Sequence, residues 1–244
     1  MSTVSTATAA NRANTSTVPF AGAALEQAGR ALAAESARFA GLGWMRGTSG
    51  NLSAVLSTDP LHLAVTVSGA DKGELTSRDV VVVDEGGRAV PDQPRPGQVP
   101  SAEAGLHARI AAHTGAGAVV HVHTLPAVLA AHYWPDGVVL RNLEMLKGIG
   151  RAAHGEDVRL PVVGNDQDMR VLGDAFEKAY DRAAPVPVLL VGRHGLYAWG
   201  RDLAQARHHT EIVDWLLRFH LATAGPAGLP LVSDLSIHPR LPEE

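Results

Sequence analysis

The sequence predicts a protein of the α/β class, in an α+β layered form with a central, mainly antiparallel sheet flanked by helices. Short apolar runs with strand character alternate irregularly with helical segments along the chain. Two glycine-containing turns, at residues 85–87 and 193–195, join apolar runs directly, and such hairpins pair strands in antiparallel fashion. These two observations favour a layered antiparallel or mixed sheet over a parallel one.

The chain is predicted to form one folded domain with two short ends. Its 244 residues, 45% of them hydrophobic, can bury the core of one domain or at most two. The Ser/Thr/Ala-rich start lacks the apolar segment of a secretory signal, so we expect residues 1–19 to be a disordered tail. Residues 20–224 are then the folded domain, and residues 225–244 are a C-terminal extension.

The composition excludes several kinds of partner and site. The formal net charge is −4 and the chain has no basic run, so we expect no nucleic-acid interface. No apolar stretch approaches the roughly 18 residues that span a bilayer, so we expect no membrane association. With no cysteine, neither a disulfide nor a thiolate metal site can form, which fits a cytoplasmic location.

The elements of the first half follow from local patterns. Residues 21–40 are alanine-rich with spaced leucine and phenylalanine, which predicts a helix ending at the glycines that follow. "GTSGNLSAVL" leads into a strand, and "LHLAVTV" alternates as a strand does. "LTSRDVVVVD" predicts one capped helical turn before a short apolar strand. "SAEAGLHARIAAHTG" predicts a helix with a glycine after its last turn.

Another strand and helix follow at once. "AVVHVH" is rich in β-branched residues and predicts a strand, and "TLPAVLAAHYW" begins a helix with Pro126 in its first turn. "LEMLKGIG" predicts no single element, and "VRLPVV" indicates a strand.

The last part of the domain has the strongest patterns. "DQDMRVLGDAFEKAYDRA" predicts an amphipathic helix. "VPVLLVGRHGLYAWG" predicts two strands joined by a turn, and "DLAQARHHTEIVDWLLRFHLATAG" predicts a long final helix with Asp202 near its N-cap.

Two histidines stand one residue apart in an apolar strand. Residues i and i+2 of a strand point to the same face, so His121 and His123 are neighbours there. Two imidazoles in this arrangement can converge on one Zn²⁺ ion at about 2.0–2.1 Å each. The alternative is a pair of core histidines satisfied by ordinary hydrogen bonds.

His194 is the candidate third ligand. It lies in the turn of an apolar hairpin between Gly192 and Gly195, where glycines allow close approach of the backbone. The alternative is an exposed turn histidine. Three imidazoles without a thiolate favour an open, catalytic zinc site over a closed structural one. The remaining histidines show no ligand pattern, and we expect His208, His209 and His220 at the surface or an interface.

Two glutamates are candidates for proton transfer beside such a metal. Glu103 lies at a predicted helix start, where a glutamate also complements the helix dipole. Glu144 lies in "LEMLKGIG", where it could instead pair with Lys147. The chemistry of the residues does not rank the two.

Short polar loops offer candidate groups for binding an anion. The loops "GTSGNLS" and "SGADKG" combine glycines with small donors, and Ser101 opens a helix whose amides favour anions. The candidate phosphate-binding residues are Asn51, Ser68, Gly69, Lys72 and Ser101. Each could equally be an ordinary turn residue.

Ordered motifs along the chain resemble the class II aldolase family. The motifs are "TSGNLS", "VSGADKGELTSRDVVVVD", "PSAEAGLH", "VVHVHT" and "LLVGRHGLYAWG", and "EMLKGIG" resembles the methylthioribulose-1-phosphate dehydratase branch. The resemblance implies one Zn²⁺ per subunit on His121, His123 and His194, and a homotetramer with sites near subunit interfaces. It also implies phosphate binding by Asn51, Ser68, Gly69 and Ser101.

The resemblance implies different acids for different reactions. In the aldolases the proton-handling glutamate matches Glu103, whereas in the dehydratase branch it matches Glu144. Ala102 departs from the aldolase motif, which has a second serine there. We therefore expect zinc-dependent dehydration of 5-methylthioribulose 1-phosphate to 2,3-diketo-5-methylthiopentyl 1-phosphate in methionine salvage, with Glu144 preferred over Glu103. The alternatives are an aldolase or epimerase acting on another sugar phosphate, and a non-catalytic oligomeric binding protein.

Overall fold

A computed structural model describes residues 22–91 and 93–224. The predicted tail, residues 1–19, and the predicted extension, residues 225–244, lie outside these residues. The described part contains five α-helices, nine strands and one 3₁₀ helix. The helices are α1 Ala23–Gly41, α2 Ala104–Thr114, α3 Leu125–Tyr133, α4 Met169–Ala179 and α5 Leu203–Ala224. The strands are β1 Asn51–Thr58, β2 Leu61–Thr66, β3 Val80–Val83, β4 Ala118–Val122, β5 Val138–Arg141, β6 Asp157–Leu160, β7 Val162–Val163, β8 Val188–Val191 and β9 Gly195–Gly200.

Seven strands form the central sheet in the order β3-β2-β1-β4-β9-β8-β7. Every neighbouring pair is antiparallel except β7 and β8, which are parallel. β5 and β6 form a separate antiparallel pair. The fold is therefore the layered α/β arrangement with a mainly antiparallel sheet that the hairpins predict.

Helices cover both faces of the sheet. Successive side chains of a strand point to opposite faces, so each strand packs against helices on both sides. Val120 and Val122 of β4 pack on the face covered by α1, α3 and α5. Val119 of the same strand packs on the opposite face, against α2 and α4. His121 lies two residues along from Val119, so its side chain points to the face of α2 and α4.

Two departures from the predicted elements have local causes. "VRLPVV" is not one strand, because Pro161 lacks an amide hydrogen and separates β6 from β7, which belong to different sheets. β5 was not predicted, since four residues after a loop carry little periodicity. "LEMLKGIG" forms the 3₁₀ helix Glu144–Ile149. None of the helices within residues 22–91 and 93–224 is long and apolar enough to cross a bilayer.

Candidate metal centre

β4 brings two of the candidate ligands to one place. His121 is fully buried in the middle of the sheet, paired in register with Asn51 on β1 and Tyr197 on β9. His123 directly follows β4 and is partly buried. Their ring centroids are 4.7 Å apart, so both side chains point to the same face, as the spacing predicts.

The hairpin between β8 and β9 brings His194 to the same place. Arg193 takes the left-handed conformation (φ 57°), so the turn bends at this arginine and not at a glycine. Gly195 has a different role: a Cβ there would collide with the carbonyl oxygen of Val122. Its missing side chain therefore lets the turn approach the end of β4 closely.

The three imidazoles form a compact set of nitrogen donors. Nε2 of His121 lies 2.8 Å from Nε2 of His123 and 3.3 Å from Nε2 of His194. The ligand atoms all lie within 4.8 Å of one another. Tetrahedral zinc with Zn–N bonds of about 2.0–2.1 Å needs nitrogens about 3.3–3.4 Å apart. The His121–His194 pair already has this spacing, and the His121–His123 pair would open by about half an ångström to hold such an ion.

The hydrogen bonds of the outer ring nitrogens turn the inner nitrogens toward the cluster. Nδ1 of His121 is 3.0 Å from the carbonyl oxygen of Leu196, which can only accept, so this nitrogen donates. Nδ1 of His194 donates to Oδ1 of Asn165 at 3.2 Å. Such partners fix the tautomer and leave Nε2 with its lone pair toward the other two imidazoles.

Burial keeps the central imidazoles in the neutral form that binds metals. It lowers the pKa of His121 to about 3, and the charge of Glu103 opposes this shift only in part. It also lowers the pKa of His123, assisted by the neighbouring His194. Lone pairs of neutral imidazoles cannot satisfy one another, so this donor set is suited to binding a cation.

Glu103 is the carboxylate at the cluster. Its Oε1 lies 3.0 Å from Nε2 of His194, and its Oε2 lies 3.5 Å from Nε2 of His121 and accepts a hydrogen bond from Nδ2 of Asn51. Burial alone would raise the pKa of Glu103, but the nearby imidazoles and the Asn51 amide hold it well below its usual range. Glu103 is therefore ionised beside the three candidate ligands.

The anion-binding candidates fall into two neighbouring loops and a helix start. The amide of Ser68 donates to the carbonyl of Val99, and the amide of Ser101 donates to that of Thr66, so the two serines are brought together. Gly69 has a left-handed backbone (φ 73°) at an exposed position.

Lys72 holds the two loops together. Its buried ammonium group donates to the carbonyl oxygens of Thr48 at 2.9 Å and Ala70 at 2.8 Å. Burial lowers the pKa of Lys72, although the charges of Asp71 and Glu103 oppose this. Lys72 therefore joins the "GTSGNLS" and "SGADKG" loops.

Glu144 lies apart from these groups. Its side chain is 71% exposed on the 3₁₀ helix and accepts a hydrogen bond from Lys147 at 2.6 Å. None of the contacts that the structure gives for Glu144 within residues 22–91 and 93–224 involves the three histidines. Its role as acid or base stays a prediction.

Sequence reasoning missed the groups that surround the ligands. Tyr197 stacks on His121, and Asn165 orients His194, but neither lies in a motif that signals such a contact. His209 was wrongly predicted at a surface or interface. It is buried, and its Nδ1 donates to the carbonyl of Trp199, because its side of α5 faces β9.

Comparison with known proteins identifies relatives of this chain. The model of the class II aldolase and adducin N-terminal domain matches residues 30–221. A methylthioribulose-1-phosphate dehydratase of Sulfurihydrogenibium sp. is 40% identical over 177 residues, which are 71% of this chain and 80% of that protein. One of Xanthomonas campestris pv. campestris is 38% identical over 213 residues, which are 86% of this chain and 95% of that protein.

Solved structures share the fold. A putative aldolase/epimerase/decarboxylase of Klebsiella pneumoniae, YgbL, superposes with a TM-score of 0.67 at 24% identity, covering 83% of this chain and 93% of its own. An L-fuculose 1-phosphate aldolase superposes with a TM-score of 0.64 at 25% identity, covering 82% and 86%. The chain therefore belongs to the class II aldolase family and, within it, to the branch of the methylthioribulose-1-phosphate dehydratases.

Proposed function

We propose that this chain is a zinc-dependent methylthioribulose-1-phosphate dehydratase. It would remove water from 5-methylthioribulose 1-phosphate and give 2,3-diketo-5-methylthiopentyl 1-phosphate, a step of methionine salvage. The observation that carries the proposal is the convergence of three imidazole nitrogens with the ionised Glu103. Relatives that bear this name and cover most of the chain support the choice of reaction.

His121, His123 and His194 would hold the Zn²⁺ ion. When bound, zinc supplies a Lewis acid that polarises a carbonyl group and makes the neighbouring C–H bond more acidic. Because all three donors are neutral, they leave the charge of the ion uncompensated, which makes it a stronger electrophile. The outer hydrogen bonds of His121 and His194 would keep the donors in place during turnover.

Proton transfer needs a carboxylate that can reach the substrate carbon. Glu103 is the acid that the chain itself places beside the histidines, and Asn51 orients it. It would take the proton from C3, and an acid would protonate the departing C4 hydroxyl. Glu144 is the acid that the family resemblance assigns to these roles. A site near a subunit interface would expose the histidines to side chains of a neighbouring copy, and Glu144 is exposed.

The phosphate would bind at the two loops joined by Lys72. Ser68 and Gly69 offer exposed groups, Ser101 precedes the N-terminus of α2, and Asn51 lies beside Glu103. We propose a homotetramer in the cytoplasm with one Zn²⁺ per subunit, in line with the resemblance and with the lack of cysteine.

Product identification tests the proposed reaction. Zinc-loaded protein is incubated separately with methylthioribulose 1-phosphate and with fuculose 1-phosphate, with metal-stripped protein as the control. We expect the diketone, detected by its absorbance and mass, from the first substrate only, and stoichiometric zinc in the active protein. Release of an aldehyde from the second substrate would favour an aldolase, the activity named for a structural neighbour. No stoichiometric zinc and no turnover would point to a binding protein.

A further inference from the structure

Tyr197 contacts His121, the central one of the three candidate ligands. The phenol ring is fully buried on β9 and stacks on the ring of His121, with centroids 4.0 Å apart and an interplanar angle of 14°. His107 of α2 also contacts this ring edge-on, with centroids 5.7 Å apart and an interplanar angle of 74°. His107 is itself held by Ser53, 2.8 Å from its Nδ1. The Tyr197 ring is therefore held by contacts with two imidazoles.

The hydroxyl of Tyr197 is a buried polar group, and within residues 22–91 and 93–224 it makes no hydrogen bond of standard geometry. A buried phenol usually has a hydrogen-bond partner, because desolvation without one is costly. Burial raises the pKa of Tyr197 well above its usual value, and the nearby carboxylate of Glu103 raises it further. Glu103 is the acceptor on this side of the cluster, since its Oε2 lies 3.5 Å from Nε2 of His121, the ring on which Tyr197 stacks.

Glu103 has a shortage of hydrogen-bond donors. Nδ1 of His121 and Nδ1 of His194 carry the ring protons, so the Nε2 atoms near the carboxylate present lone pairs and do not donate to it. A bound metal would take these same lone pairs. Of the contacts that the described residues make with the carboxylate, the amide of Asn51 is the one that donates to it.

We propose that Tyr197 is a positioning residue for Glu103 and His121 in the metal-loaded protein. Its hydroxyl and the Asn51 amide would together hold the carboxylate in place, and its ring would set the plane of the His121 imidazole. The inference rests on the proposed metal centre. It does not depend on which sugar phosphate is turned over.

Two substitutions at Tyr197 separate the hydroxyl from the ring. Tyr197→Phe keeps the stack, so we expect unchanged zinc affinity in a chelator competition, an unchanged Co²⁺ absorption spectrum and a KM within about twofold. Loss of one hydrogen bond to a charged group should lower kcat roughly tenfold. Tyr197→Leu removes the ring, and we expect zinc affinity about tenfold lower and an altered Co²⁺ spectrum. Tyr180→Phe, away from the centre, is the matched control for removing a phenol hydroxyl.

A double-mutant cycle tests whether Tyr197 acts through Glu103. If it does, Glu103→Gln/Tyr197→Phe should be no slower than Glu103→Gln alone. Multiplicative losses in kcat, or a normal kcat in Tyr197→Phe, would overturn the hydroxyl's role. A Tyr197→Leu protein that melts cooperatively and binds metal with the wild-type spectrum would overturn the ring's role. Failure of the wild-type protein to bind zinc would refute the proposed function itself, and wild-type zinc binding with a different product would leave the Tyr197 test intact.

Discussion

At the scale of single residues, the candidate centre combines a neutral donor set with one ionised acid. The imidazole of His121 is kept neutral by burial, whereas Glu103 stays ionised because imidazoles and an amide surround it. Both groups are therefore deprotonated: the imidazole is uncharged with a free lone pair, and the carboxylate is charged and able to accept a proton. This is the pairing that metal-assisted removal of a proton from carbon needs.

Replacing Glu103 should separate proton transfer from metal binding. We expect Glu103→Gln to retain stoichiometric zinc and to lose about 10²-fold or more in kcat, because the amide cannot accept the proton. Steady-state kinetics with metal analysis measures both quantities, and Glu85→Gln, in an exposed turn, is the control. A nearly normal kcat would show that Glu103 does not carry the proton.

Glu144→Gln tests the acid that the resemblance assigns. We expect retained zinc and again a loss of about 10²-fold or more in kcat. Lys147→Gln, which removes the partner of Glu144 but keeps the carboxylate, is the matched control and should be far less affected. Normal turnover in Glu144→Gln would exclude it from the mechanism.

At the scale of elements, the sequence predicts the framework better than the contacts between its parts. Alternation and glycine turns are local signals, so β4, the β8–β9 hairpin and the same-face pair His121 and His123 could be predicted. The stack of Tyr197 on His121 depends on the register between β4 and β9, which no single segment encodes. Asn165 is 29 residues from His194, so their contact likewise depends on the tertiary fold.

The close approach of the β8–β9 hairpin to β4 depends on Gly195. In Gly195→Ala the new methyl group meets the carbonyl of Val122 and the ring of His123, so strands or ring must shift. We expect a loss of about 1–3 kcal/mol in the free energy of unfolding and weaker zinc binding. Denaturant melts and chelator competition measure these, with Gly164→Ala, whose added Cβ meets nothing within 4 Å, as the control. Equal stability and zinc affinity in the two variants would contradict this role.

At the scale of the whole molecule, buried neutral histidines make the fold sensitive to acid. His107 is fully buried in the layer between the sheet and α2, and burial lowers its pKa from 6.5 to about 4, with Glu103 opposing. The unfolded chain therefore binds more protons than the folded one between these two pH values. Stability must rise with pH across this window and fall as pH drops from about 6.5 to about 4.

Removing the His107 imidazole should flatten this dependence. His107 alone accounts for about 3 kcal/mol of stability lost across the window. We expect His107→Asn to show a shallower fall in the free energy of unfolding with falling pH, whatever its stability at pH 7. Denaturant melts at several pH values measure the slope, with His208→Asn, at an exposed position of α5, as the control. Parallel curves for wild type and His107→Asn would refute the assignment.

The ammonium group of Lys72, which joins the two loops, can also bind an anion. The described part of the chain gives this ammonium group two acceptors, the carbonyls of Thr48 and Ala70, which leaves its third proton for an incoming anion. An anion bound to this ammonium group would strengthen the connection between the two loops. Ordering of the loops and binding of the anion would then be thermodynamically linked. Saturation with phosphate should then slow proteolytic cleavage in the two loops together, rather than in either one alone.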